Sequence, residues 1–370
     1  MACVDFSEIE EIQKVFSTTV NFGLGVHVKE FEDELQKFIG GGVEVVCVNS
    51  GTSALHLSLE SLNLPKNSEV LVPSITFVSS YTAITQAGLV PVSCDVTYPS
   101  CHIDPEDAEK RISSKTVAIM PVAYAGCDFN REKIYEIANK YQLRVIEDDA
   151  HAFGSINHDG VHFGASGDIV CFSFDGIKNI TCGEGGAIVT KDKSFAHQAR
   201  VRRSLGIEKD VELRYKGKRA WDFDVAVQGY RYHMSNINAA IGLAQLKKIS
   251  IFKKKKLAIL NKYKEEIEEH KLSIQICHTQ EIRDSDCLHI FSCLLDKKLN
   301  RAVMREKLLE VGFETGIHYA PNHKHTLFKS NYSLPVAEDV GERLISFPFH
   351  PQVPMEMIPS LISSIKKIIA

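Results

Sequence analysis

Cysteine pairs at metal or redox spacing are absent. The ten cysteines (Cys3, Cys47, Cys94, Cys101, Cys127, Cys171, Cys182, Cys277, Cys287, Cys293) are scattered and form no Cys-x-x-Cys, which removes zinc-ribbon and dithiol chemistry. Several lie inside apolar runs, so buried, reduced thiols of a cytoplasmic protein are expected. There is no surplus of positive charge: 43 Lys and Arg stand against 47 Asp and Glu, a net charge of −4. Nucleic acid is therefore not an expected partner. No apolar run approaches the ~20 residues that span a bilayer, and the first residues lack the basic and apolar regions of a signal peptide, so no membrane association is expected. The chain has no Gly-x-x-x-x-Gly-Lys and no Gly-x-Gly-x-x-Gly after a strand, which excludes a P-loop and a dinucleotide fingerprint. It shows no internal repeat and no low-complexity linker. What it does have is 370 residues, 44% of them hydrophobic, enough for two packed domains.

From about 43 to 190 short apolar runs alternate with helical patterns, the mark of βαβ units and a mostly parallel, doubly covered sheet. Strands are expected at 43–48, 69–72, 90–94, 117–122, 144–147, 168–174 and 187–190, with helices at 53–62 and 131–141. Beyond 240 the pattern changes. Leu246, Ile249, Phe252, Ile259, Tyr263 and Ile267 recur at helical steps, which predicts one long helix bridging into a smaller domain. The Lys253–Lys256 run on it, followed by Glu265, Glu266, Glu268 and Glu269, reads as a solvated helix face. A strand at 287–295 and helices at 301–311 and 335–345 give the remainder an α+β texture. The expected division is 1–245 and 246–370.

Three segments carry the chemistry. In the first, from Asp168 to Thr190, an apolar strand runs into a polar loop holding Lys178, then through Gly183, Gly185 and Gly186 into another apolar strand. An isolated loop lysine is ordinarily a surface residue. Beside glycines that allow close backbone approach, it can also be a desolvated lysine that loses its proton, as a Schiff-base nucleophile must. The second segment, Arg144 to Gly154, is a short strand ending in Glu147, Asp148 and Asp149, where carboxylates face the ligand crevice of a parallel sheet. A helix cap or a metal would explain one acid, but further metal ligands are not evident and no metal site is expected. In the third, Asn49-Ser50-Gly51-Thr52-Ser53 lies between a strand and a helix start, which suits either an ordinary N-cap or an anion held by backbone N–H groups.

In this order and spacing the segments resemble the DegT/DnrJ family of sugar aminotransferases, fold-type-I enzymes that use pyridoxal 5′-phosphate (PLP). The resemblance covers nearly the whole chain. It rests on Gly51-Thr52-Ser53-Ala54-Leu55, Pro73 through Phe77, Glu147-Asp148 with Ala150-His151, and Ser173 through Gly186. It continues in Gly229 through Ser235 with Ala239-Ala240, His318-Tyr319 with Pro321, and Leu334 through Glu338. It implies an α/β fold: a large domain with a central, mostly parallel seven-stranded sheet, plus a smaller α+β C-terminal domain. By matching position, Lys178 would form the Schiff base with PLP and shuttle a proton, and Asp148 would pair with the pyridine nitrogen and keep the ring an electron acceptor. Phe77 would stack on the ring and His151 lie beside it. Gly51, the backbone of Thr52 and Ser53, and the Ser173 hydroxyl would hold the phosphate.

Two departures stand out. Asp149 occupies a position where the family more often has a small residue, and Arg231 and His233 stand where it commonly has asparagine and arginine. In such homodimers with shared active sites this loop reaches the partner's phosphate. Arg231 would do so as a guanidinium, or make an interface salt bridge. The family activity implied is transfer of the amino group of L-glutamate to a nucleotide-linked keto-sugar, with His318, Tyr319 and His323 as sugar or pyrophosphate contacts. Met234-Ser-Asn-Ile237 looks more like members that aminate C4 of a 4-keto-6-deoxy sugar. Alternatives are amination at C3, a sugar dehydratase (in which histidine replaces the lysine, against Lys178), and a catalytically silent ligand-sensing relative.

Overall fold

The computed structural model describes residues 3–18, 22–277, 283 and 285–369. Seven strands form the central sheet: β1 (Glu44–Val48), β2 (Glu69–Pro73), β3 (Val90–Cys94), β4 (Thr116–Ile119), β5 (Arg144–Asp148), β6 (Ile169–Ser173) and β7 (Gly186–Thr190). Their order is β1-β7-β6-β5-β4-β2-β3. Only β7 is antiparallel to its neighbours, β1 and β6; the other pairs are parallel. The expected mostly parallel sheet is therefore present, with every expected strand within a few residues of its place.

Nearly every strand position is buried because both faces are covered. Val45, Cys47, Val145, Val170, Phe172 and Val189 share one core with Val28, Phe31 and Leu35 of the helix Val26–Ile39. The alternate residues Val46, Val70, Val72, Ile146, Cys171 and Ile188 pack with Leu55, Leu57 and Leu59 of the helix Gly51–Ser61. The period of two along each strand assigns these residues to opposite faces. At the end of β1, Arg203 is wholly buried and donates to Glu32 Oε1, the Cys47 carbonyl (both 2.6 Å) and Tyr215 Oη (2.7 Å). A buried charge so paired locks the strand to two helices.

The second sheet, with strands β8 (Ile274–Ile276), β9 (Phe291–Leu295) and β10 (Leu344–Phe347), is antiparallel in the order β10-β9-β8. The expected long helix is two, Asn236–Leu246 and Ile249–Glu269. The second spans the two cores: Ile249 and Phe252 lie in the first, and Ile259, Leu260, Tyr263 and Ile267 pack around the small sheet. The lysine run is not uniformly solvated, since Lys254 and Lys255 are exposed but Lys256 is buried. The expected helix 335–345 ends at Arg343, and Leu344 begins β10. No helix among the described residues is long and apolar enough to cross a membrane.

Candidate active site

The crevice lies where the loops after β1, β2, β4, β5 and β6 meet, outside the carboxyl ends of the parallel strands. Gly51, Thr52, Phe77, Asp148, His151, Ser173, Lys178, His318 and Tyr319 line one cleft of about 290 Å³. Nine residues far apart in sequence thus meet at one place.

Two stretches of the cleft wall carry distinct chemistry. In one, the helix Gly51–Ser61 begins: Ser50 caps it, accepting from the Ser53 N–H at 3.0 Å. Its first turn presents the backbone of Gly51 and Thr52, with the Thr52 hydroxyl 2.8 Å from that of Ser79. A Cβ on Gly51 would meet Ser173 Cβ at 2.7 Å and Oγ at 3.0 Å. Only glycine allows the Ser173 hydroxyl to approach that turn. Helix dipole, free N–H groups and hydroxyls make this an anion site.

In the other, Asp148, the last residue of β5, is buried. Its Oδ2 accepts from Ser80 Oγ at 2.7 Å and its Oδ1 from the Ala150 N–H at 3.2 Å. Burial pushes its pKa up, while those donors and the charge of Lys178 oppose the shift. The neighbouring Asp149 is turned off the cleft wall. Neither of its oxygens has a hydrogen-bond partner among the described residues, and burial together with nearby Glu147 raises its pKa well above the ordinary range.

Lys178 sits half-buried in the cleft, its pKa lowered to about 8 by desolvation against the pull of Asp148 and Asp175. The uncharged form, the state a nucleophile or base requires, is thereby far more accessible near neutral pH than for an ordinary lysine. His151 Nδ1 accepts from the Ala125 N–H at 3.3 Å, which leaves Nε2 to donate to Tyr319 Oη at 3.0 Å. Burial, then the charge of Lys178, hold its pKa well below the usual value, consistent with that neutral tautomer. Phe77 is 53% exposed at the cleft mouth, its ring centroid 5.6 Å from that of Tyr319. His318 bonds Ser346 Oγ through Nδ1 at 2.9 Å.

Three expected residues lie elsewhere. The Ser53 amide is used by the Ser50 cap and its hydroxyl by Asn49 Oδ1 at 2.7 Å, so Ser50 takes its place on the cleft wall. His323 is buried behind the wall, its Nδ1 2.6 Å from Ser74 Oγ and its Nε2 3.4 Å from Glu338. Arg231 is exposed and outside its own chain's cleft. Sequence reasoning missed Ser80, Thr76 and Ser79, whose hydroxyls support Asp148 and Thr52. Hydroxyls at a helix start carry no distinctive signal.

A helix start suited to an anion, a buried carboxylate and a lysine of lowered pKa on one cleft wall fit PLP, whose phosphate, ring nitrogen and aldehyde make those demands. Comparisons with known proteins bear on the family. An uncharacterized protein of Methanocaldococcus jannaschii, MJ1066, is 33% identical over 371 residues, covering 98% of this chain and 95% of its own. Among solved structures, Helicobacter pylori PseC, an aminotransferase involved in the biosynthesis of pseudoaminic acid, superposes with a TM-score of 0.91 at 26% identity, over 99% of this chain and 97% of its own. NtdA of Bacillus subtilis, with bound cofactor PMP, the amino form of PLP, gives 0.84 at 26% identity, over 98% and 83%. A model of the DegT/DnrJ/EryC1/StrS aminotransferase family matches residues 3–366, and the chain belongs to that family of PLP-dependent enzymes.

Proposed function

We propose that the protein moves the amino group of L-glutamate to a nucleotide-linked keto-sugar, a 4-keto-6-deoxy sugar in the first instance, acting as a homodimer in the cytoplasm. The observation that carries the reading is the placing of Lys178 in one cleft with the buried Asp148 and the Gly51–Thr52 helix start. Similarity to PseC supports a sugar substrate. The cofactor, when bound, supplies a ring that accepts electrons from the substrate carbon and carries the amino group between the two substrates.

The chain's own residues do the rest. Gly51 and Thr52 amides, with the Thr52 and Ser173 hydroxyls, bind the phosphate. Asp148, held by Ser80 and Ala150, keeps a proton on the ring nitrogen through its negative charge. Phe77 covers a ring face, and His151, fixed by Ala125 and Tyr319, packs beside it. Lys178 holds the cofactor at rest; once released, its Nζ takes the proton from the substrate carbon and returns it. His318 and Tyr319 meet the sugar at the mouth. Arg231 stands exposed, with Trp221, Phe223 and Val225 on the same exposed stretch, 87%, 47% and 52% accessible. Such a surface suits a second copy, whose phosphate Arg231 would reach.

The test is a panel of keto-sugar nucleotides with glutamate, read by mass spectrometry. A 4-amino product is expected, and Lys178→Ala should lose at least about 100-fold in rate. Amination of 3-keto sugars alone would replace the C4 assignment, and an active Lys178→Ala would remove the role of that lysine.

A further inference from the structure

Lys256 belongs to no part of the machinery above, yet it is only 5% exposed. Burying an ammonium group is costly unless it is well bonded. Its Nζ donates to Asn179 Oδ1 at 2.8 Å and to the Leu288 carbonyl at 3.0 Å, and stands 5.8 Å from the centre of the Phe349 ring. Asn179 is the residue after Lys178. With its Oδ1 taken by Lys256, the amide must turn its Nδ2 toward the carbonyls of His151, Phe153 and Cys287, at 3.2, 3.1 and 2.7 Å. One buried lysine thus ties together the Lys178 loop, the loop after β5 and the segment leading into β9.

We propose that Lys256 is a positioning residue for Lys178: from outside the cleft it clamps the adjacent Asn179 and sets a second positive charge next to the cofactor lysine. The inference rests on the reading of Lys178 as that lysine. Two like charges in one buried unit oppose each other. Burial is the main cause of the lowered pKa of Lys256, and the charge of Lys178 adds to it; coupling between two proton sites is reciprocal, so a charged Lys256 disfavours a proton on Lys178. Two oxygen acceptors and a ring face hold the Lys256 ammonium against the burial that lowers its pKa to about 8. Burial lowers the pKa of Lys178 against the pull of Asp148 and Asp175, and the charge of Lys256 would act in the same direction as burial. The remaining groups set the background: His151 and His318 near Lys178, with Glu184 on the cleft wall, and Cys287, His289, Asp286, Lys253 and His350 around Lys256. Three histidines around the pair, His151, His289 and His318, have their pKa lowered first by burial and then by the charge of Lys178, with Lys256 adding to the effect at His151 and His289.

The test reads Lys178 directly. Full-length protein freed of cofactor is trace-labelled with acetic anhydride across a pH series, and modification of the Lys178 peptide is followed by mass spectrometry. In the wild type, labelling should reach half its plateau near pH 8. Lys256→Met, which removes the charge, should move that midpoint up by about half a unit or more, roughly a threefold loss of labelling at neutral pH. Lys256→Arg, which keeps the charge, should restore it. Lys256→Gln, neutral but still able to donate to Asn179, provides the same reading should the methionine variant not fold. An unchanged midpoint in either folded neutral variant overturns the proposal. Borohydride trapping of PLP on the loaded protein is the separate control: cofactor on another lysine would refute the role of Lys178 and leave the labelling result standing.

Discussion

Asp148 and Asp149 are adjacent, both buried, and opposite in circumstance. Asp148 has a hydroxyl and an N–H to stabilise its charge; Asp149 has no hydrogen-bond partner among the described residues and its pKa is pushed well up. A hydrogen bond to a charged group contributes about 1.5–3 kcal/mol. Ser80→Ala should therefore weaken PLP binding by roughly tenfold or more, and Asp148→Asn, which keeps the shape and loses the charge, should lower turnover by about 100-fold. Asp149→Asn should leave both near wild type, because the carboxyl it replaces is already favoured in its neutral form. Absorbance titration with PLP and single-turnover rates read all three. Should the Asp149 variant lose cofactor and the Asp148 variant retain it, the two roles are exchanged. Strand periodicity showed three acids at a strand end and did not choose among them, the choice of Asp148 coming from the family resemblance: in a strand buried on both faces, either phase of the alternation is apolar, so periodicity does not say which side meets the ligand.

At the scale of elements, β7 decides how closely the phosphate end can be built. Gly186 opens β7, opposite Val48 of β1 and Ser173 of β6. A Cβ there would fall 2.4 Å from the Ser50 carbonyl oxygen and 2.8 Å from the Gly51 nitrogen. Those are backbone atoms, unable to swing aside. Gly186→Ala should displace the turn that carries Ser50, Gly51 and Thr52, costing stability of about 1–3 kcal/mol and weakening PLP affinity more than it lowers the melting temperature of the cofactor-free protein. Paired thermal melts with and without PLP check this; equal losses in both forms would mean the strand, not the turn, is what yields. The glycine-rich turn was legible as a place of close approach, and the strands were legible from apolar runs. The sheet order and the reversed direction of β7 were not, since they depend on pairings far apart in sequence. The break between the helices ending at Leu246 and starting at Ile249 also escaped, because apolar spacing continues across it. Leu344-Ile-Ser-Phe347 was read partly as helix because so short a run satisfies either period.

Over the whole molecule, the scattered thiols set a limit that no single residue reveals. Burial raises the pKa of Cys47, Cys94, Cys127, Cys171, Cys182, Cys277, Cys287 and Cys293, eight groups in all. An unfolded thiol ionises near about 8.5, so above that pH the unfolded chain releases protons that the folded chain keeps. A group whose folded pKa is raised contributes stability that is complete below its unfolded pKa and fades as pH climbs. Lys178 and Lys256 act with the opposite sign: their folded pKa values, about 8, lie below the unfolded value of roughly 10.4, so stability rises from them across that interval. Each group contributes about 1.4 kcal/mol per pH unit once its two states differ by a full proton. The thiols outnumber the lysines, so the net effect is a loss of stability as pH climbs above the unfolded thiol pKa, in a domain whose whole stability is about 5–15 kcal/mol. The cofactor-free protein should therefore hold its melting temperature up to about pH 8.5 and lose it steeply by pH 10, in reductant and at constant ionic strength. A thiol reagent applied to the native protein at pH 8 should modify Cys3, half-exposed, well before the buried eight. A flat melting temperature from pH 8 to pH 10, or rapid reaction of the buried thiols at pH 8, would show that the native state does not protect these thiols and would sink the prediction.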